Sequence, residues 1–355
     1  MIKKILKGIA LLLAVIVLLA AGLLCYLSIT EFRPADRADV AVEGSASGTL
    51  RAGEAVTVLT WNVGYGALGD NADFFMDGGR GVYTADAERV QSNLEGIAAE
   101  IRRQAPDLLL LQEVDRDSAR SRHVDEMPVL AQAMPGSAAS FANNFKVAFL
   151  PFPIPPIGQV DSGLLSFSVY PVREAERIQL PIPFDWPVRM AYLKRCLLVQ
   201  RIPLADGARE LVLINLHLEA YDDGEGKAAQ TLMLQEILER EAAEGNYVIA
   251  GGDFNQIFSN ADTGAYPAQE GKWQAGEIDT SVFPAGWQTV MDAAVPSCRS
   301  LDQPYVGADR DSFQYYLIDG FVFSENITLR HLETLDLGFV CSDHNPVRAE
   351  ILLEP

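Results

Sequence analysis

Four short apolar runs in this chain, residues 56–61, 108–111, 211–215 and 247–250, each lead within a few positions to a side chain suited to catalysis: Asn62, Glu113, His217 and Asp253. Runs this short and this apolar read as strands buried on both faces, which requires packed layers on either side. In the fourth run Tyr247 to Ala250 meets Gly251-Gly252, where the strand is expected to stop and the backbone to turn or to approach something closely. Asp253 and Asn255 follow two apart, so in extended chain both point into one cleft, while an Asx-type turn closing the strand is the plainer alternative.

The segments between these runs favour layered α and β packing. Residues 85–103 place Val90, Leu94, Ile97, Ala98 and Ile101 on one stripe, and Thr84 stands where a helix cap is expected. A second helix over 228–241, with Leu232, Leu234, Gln235 and Leu238 as a partial stripe, separates the third run from the fourth. The pattern strand, helix, strand therefore occurs twice. Residues 197–202 pair with 211–215 as neighbouring strands, and 163–168 resumes strand character after a proline-heavy surface loop at 151–156. The 256–288 segment is too long for a mere connection and reads as a loop that carries specificity. Asp319 interrupts an apolar run over 316–323, and Asp343-His344 precedes a terminal strand over 347–353. His123 beside Arg122 and His331 beside Arg330 read as surface residues.

Residues 9–29 are almost uninterrupted apolar sequence, and about 20 such residues cross a bilayer as a helix. Lys3, Lys4 and Lys7 precede them and should stay inside, leaving everything after Phe32 outside. A cleaved signal peptide is the rival, with Ala20-Ala21-Gly22 as its cleavage site, but the apolar run continues past it. Residues 34–55, rich in Ala, Gly, Ser and charge, read as a linker to a catalytic domain over 56–355, with 1–33 as the anchor. Net charge is −20, and without the three N-terminal lysines 25 basic residues face 48 acidic ones. Such a field repels polyanions and disfavours a broad nucleic-acid groove; Arg189, Lys194 and Arg195 are the nearest thing to a basic cluster and read as exposed strand charges. Four cysteines without C-x-x-C spacing exclude a zinc pattern and permit one disulfide among Cys196, Cys298 and Cys341.

In order along the chain, Thr60-Trp61-Asn62, Leu111-Gln112-Glu113, Asn215-Leu216-His217-Leu218, Gly252-Asp253-Phe254-Asn255, Ile318-Asp319 and Ser342-Asp343-His344-Asn345-Pro346 resemble the motifs of the endonuclease/exonuclease/phosphatase superfamily. The resemblance covers residues 56–353. It implies an α/β (α+β) fold, a four-layer α-β-β-α sandwich of two packed mixed β-sheets, here preceded by one N-terminal transmembrane helix. It also implies that Glu113 binds a divalent cation with Asn62 and Asp343 nearby, Mg²⁺ or Mn²⁺ suiting such ligands. Asp319 would orient His344 to activate a water, Asp253 and Asn255 would position that water and hold a phosphoryl oxygen, and His217 would donate to developing charge. Whether Asp253 or His344 is the general base stays open. The expected activity is metal-dependent hydrolysis of a phosphodiester or phosphomonoester, on a lipid headgroup or small phosphorylated molecule, outside the cytoplasmic membrane. An extracellular endo- or exonuclease is the alternative, and a non-catalytic binding protein with a decayed site the third reading.

Overall fold

Each of the four apolar runs forms a strand whose two faces are covered. The computed structural model describes residues 1–207 and 209–355 and contains two seven-stranded mixed sheets. In one sheet Ala55–Asn62 lies parallel to Leu108–Asp115, and in the other Glu210–His217 lies parallel to Tyr247–Asp253. Parallel neighbours need a crossover. The helices Ala87–Gln104 and Glu225–Ala243 supply the two.

Side-chain alternation builds the layers. Val56, Val58, Leu108 and Leu110 meet Leu211, Leu213, Tyr247 and Ile249 between the sheets. The intervening Leu59, Trp61, Leu109 and Leu111 pack outward on Ile97 and Ile101 of the first helix. Val212, Ile214, Val248 and Ala250 pack outward on Leu234, Ile237 and Leu238 of the second. The result is the expected four-layer sandwich, held by burial on both faces of every central strand.

Several local expectations change. The cap of the first helix is Asp86, whose Oδ1 accepts from Arg89 N at 2.8 Å, while Thr84 Oγ1 donates to Ala67 O. Asp86→Ala should therefore lower unfolding free energy by about 1 kcal/mol in a urea titration. An unchanged midpoint would show that the cap bond contributes nothing. The 34–55 segment is not a free linker: Arg37–Val40 adds to the edge of one sheet beside Glu174–Gln179, and Glu43–Gly44 adds to the other beside Ala138–Leu150. Backbone groups left at both sheet edges draw it in.

The fourth strand does not stop at its glycines but runs through them to Asp253. The 256–288 segment is ordered, with Gln256–Phe258 paired to Gly276–Ile278, and from its last residue Gln288–Val290 edges the sheet against Asp319–Phe323. The 316–323 run divides. Tyr315–Tyr316 pairs with Cys298–Arg299, and Asp319 becomes the first residue of a main-sheet strand, directly opposite Asp253. All four cysteines are free thiols, so the permitted disulfide is not formed. The N-terminal helix Ile2–Ile29 is exposed along nearly all its length, and only Leu27 is buried. It is long and apolar enough to cross a membrane.

Candidate active site

One end of the sandwich collects every polar residue that the sequence placed at a strand end. Asn62, His217 and Asp253 close their strands, Asp319 opens one antiparallel to Asp253, and Asp343 and His344 come just before Val347–Leu353. Glu113 needs a distortion to join them. The ladder between Leu108–Asp115 and Gly158–Ser168 shifts register between Leu111 and Val114, and Glu113 has φ of 57°. Such a bulge re-aims one side chain at a cost of about 1–3 kcal/mol, which packing elsewhere must offset. Asn255 (φ 52°) and Tyr65 (φ 42°) are held the same way at the same cleft.

The contacts form one network. Asn62 Nδ2 donates to Asp253 Oδ2 at 3.0 Å and Glu113 Oε1 at 3.3 Å, while its Oδ1 accepts from Gly64 N. Gly64 (φ +53°) lies so close to Asp343 that an added Cβ would sit 3.0 Å from Oδ1. Asp253 Oδ1 accepts from Asn255 N at 2.8 Å, and Asn255 Nδ2 is spent on Leu218 O. His344 Nδ1 faces Asp319 Oδ2 at 2.8 Å, and its Nε2 stands 3.9 Å from Asp253 Oδ2. His217 Nε2 stands 3.5 Å from the same oxygen and 4.0 Å from Glu113 Oε1. His217 Nδ1 is buried with no partner.

Burial sets the electrostatics. It raises the Asp253 carboxyl to about 7, with the Asp319 charge adding to the rise, and raises Asp343 to about 6, with Glu113 adding. Burial, Arg195 and His344 hold His217 well below its usual range, so it is neutral. For His344 burial acts the same way, but Asp319 and Cys298 outweigh it and hold the imidazole well above its usual range. A carboxylate cluster whose members push one another toward protonation is short of positive charge. Hard oxygen donors in that state fit a divalent cation. Asp343 and Glu113 offer free carboxylate oxygens; Asn62 as oriented presents its nitrogen to the carboxylates and steadies them. The groups Asp253, Asp319, His344 and Cys298, Asp343, His344 also have ligand atoms within 4.8 Å of one another.

Sequence reading gave several residues here no place at the site. Arg195 Nη1 donates to His217 O, and its Nε pairs with buried Glu219 at 3.2 Å. Arg120 grips Asp115 with two bonds and lies 3.7 Å from the Tyr65 ring centroid. Asn144 Nδ2, at the cleft wall, is buried without a partner. No spacing announces these groups, because they arrive from segments with no strand-end pattern. The supposed basic cluster is also corrected. Lys194 and Arg195 are 3% exposed, Lys194 and Arg189 both pair with Glu31, and none is a free surface cation.

The cleft above this network has a volume of about 660 Å³. The sequence profile of the Endonuclease/Exonuclease/phosphatase family matches residues 59–344. No curated protein matches in a sequence search. Similar solved structures include an endonuclease/exonuclease/phosphatase from Beutenbergia cavernae, 18% identical over 84% of this chain and 72% of that one, with a TM-score of 0.56. Truncated Caenorhabditis elegans TDP2 is 15% identical over 85% and 98%, with a TM-score of 0.52. ANGEL2, a 2′,3′-cyclic phosphatase, is 13% identical over 91% and 99%, with a TM-score of 0.53. At these identities the likeness is one of fold.

Proposed function

We propose, from the premise that the chain belongs to the endonuclease/exonuclease/phosphatase family and is a divalent-metal-dependent phosphoester hydrolase, that its substrate is a phosphoester on a lipid headgroup or small phosphorylated molecule. The observation that carries this reading is the character of the cleft. Its walls are mostly apolar, including Phe74, Phe145, Ile157 and Leu301. Its three arginines are already engaged: Arg120 by Asp115, Arg195 by Glu219, and Arg299 by the carbonyls of Gly69 and Ser300. A nucleic-acid strand needs cations spaced along its backbone, and of the described cleft arginines Arg299 alone has no carboxylate partner, but it is buried and tied by both Nη atoms to carbonyls. The net charge of the chain argues the same way.

In this reading Glu113 and Asp343 hold the cation, Mg²⁺ or Mn²⁺, with Asn62 steadying Glu113 and Asp253. Bound there, it supplies charge against the phosphoryl oxygens. Asp253 Oδ2 and His344 Nε2, 3.9 Å apart, flank the attacking water; Asp253 accepts its proton, while the imidazole, held charged beside Asp319, donates to the developing negative charge. Asp319 fixes the imidazole through Nδ1, which leaves Nε2 toward the water. Neutral His217 turns Nε2 to the same point and donates to the charge that develops. Asn255, held at positive φ, locks the Asp253 carboxylate through its backbone N–H. Phosphoryl transfer asks for little more than such positioning and charge stabilisation. The catalytic domain lies outside the cytoplasmic membrane, anchored through residues 9–29, as the N-terminal lysines favour.

The test is hydrolysis by the purified chain of bis-p-nitrophenyl phosphate, p-nitrophenyl phosphate, sphingomyelin vesicles, plasmid DNA and RNA with Mg²⁺. Lipid or small-ester turnover well above nucleic-acid turnover is expected, and preferred cleavage of DNA or RNA would replace this reading by the nuclease one. EDTA should reduce turnover at least about a hundredfold, with recovery on added Mg²⁺ or Mn²⁺. Full turnover in EDTA would reject Glu113 and Asp343 as cation ligands.

A further inference from the structure

The catalytic cleft continues to the N-terminal helix. Leu24 and Leu27, in the last two turns of Ile2–Ile29, line the same cavity as Asp253 and His344. At 1.5 Å per residue, residues 9–29 rise about 30 Å, the thickness of a bilayer's hydrocarbon core. With that stretch across a bilayer, Leu24 lies about 8 Å inside the outer boundary. One wall of the active-site cleft then stands in lipid.

The surface around that helix end is apolar and unpartnered. Phe152 is 68% exposed and Ile154 93%, on the proline loop; Trp186 is 55% exposed and Val188 54%, on the loop beside the helix; Met76 is 46% exposed. Trp186 Nε1 donates to Ser28 Oγ at 3.2 Å, which ties that loop to the helix. Phe152, Val188 and Met76 also line the cleft, so its mouth and the apolar patch are one surface. Part of the charge at this point is covered: the Glu31 side chain is 1% exposed between Arg189 and Lys194, whereas Asp185 in the loop and Arg33 beyond the helix stay exposed, as groups at headgroup level can. A patch of this kind meets the interfacial zone of a bilayer, where tryptophan is favoured.

We propose that the 151–156 and 184–188 loops sit in the outer bilayer interface and that the cleft takes a membrane lipid sideways, its phosphoester at Asp253 and His344 and its hydrocarbon chain along Leu24 and Leu27. This rests on the phosphoesterase reading and narrows it to an amphiphile that never leaves the membrane. The cleft volume, about 660 Å³, falls within the roughly 300–1,000 Å³ of pockets that enclose a sizeable organic ligand, more than a bare phosphoryl group needs.

The experiment uses the full chain in phosphatidylcholine vesicles and two diesters with the same reacting centre, hexadecyl and ethyl p-nitrophenyl phosphate. Water adds across the same P–O bond in each and p-nitrophenolate leaves. The expected kcat/KM ratio favours the hexadecyl ester at least thirtyfold, and Phe152→Ser with Val188→Ser lowers that ratio at least tenfold. In parallel, lipids brominated near the headgroup should quench tryptophan fluorescence in the parent chain and markedly less in Trp186→Phe. Cleavage of both esters without chain preference, or quenching identical in the two proteins, overturns the lateral-access proposal and leaves the phosphoesterase standing. Cleavage of neither ester also overturns the proposal, and p-nitrophenyl phosphate and sphingomyelin vesicles assayed alongside show whether the phosphoesterase reading falls with it: turnover of either keeps it, turnover of none removes it.

Discussion

Asp253→Asn is expected to reduce phosphoester turnover by at least about a thousandfold while the protein stays folded. The loss corresponds to about 4 kcal/mol of transition-state stabilisation, within the usual effect of a positioned acid or base. Asparagine keeps the shape of the side chain and the bond from Asn255 N, but it cannot take a proton. Its effect on stability is a difference of opposed terms. A charge is removed opposite Asp319, while Asn62 Nδ2 loses its acceptor, and each is worth about 1 kcal/mol. His344→Ala should lose as much activity but also cost about 3 kcal/mol of stability. It strips the partner from Asp319, whose Oδ1 is already buried without one. Activity, circular dichroism and urea titration of both variants separate the two effects. Turnover of folded Asp253→Asn within tenfold of the parent would reject the assignment.

Gly252→Ala is expected to destabilise the domain on the order of 4 kcal/mol and to leave little folded protein under physiological conditions. Gly252 has φ of +147°, and a Cβ there would stand 2.0 Å from Leu216 O on the neighbouring parallel strand. Backbone cannot yield as a side-chain tip does, so overpacking and conformational strain add. Its place between Ala250 and Asp253 means that any relaxation also moves the Asp253 carboxylate. The check is soluble yield and the urea midpoint. A Gly252→Ala protein within about 1 kcal/mol of the parent, the usual cost of an unremarkable substitution, would mean that the two central strands can part freely.

The endings of the apolar runs made much of the site legible. Strand periodicity puts Asn62, His217 and Asp253 at the same end of their sheets, because parallel neighbours joined by a helix start and finish together. Glu113 was legible only as a residue type: its aim depends on a register shift against Gly158–Ser168, a partner distant in sequence. The glycine pair shows the opposite failure. Locally it reads as a break, yet a close neighbouring strand makes it a place where only hydrogen fits, and the strand continues. Lys194 and Arg195 look exposed because their burial depends on Glu31 and Glu219, neither of them nearby in the chain.

Sequence alone determined that α and β elements pack in layers, where most central strands run and that the N-terminal segment is an apolar helix, since each follows from periodicity and from the length of an apolar run, which are local properties of the chain; the number of layers came with the family resemblance. It also determined which residue types are present for phosphoester chemistry. Tertiary structure alone decided that Asp319 and Asp253 face each other, that His217 is neutral while His344 is held charged, and that the cleft shares a wall with the N-terminal helix. Those outcomes depend on burial and on distances between segments far apart in the chain, for which one-dimensional spacing carries no information.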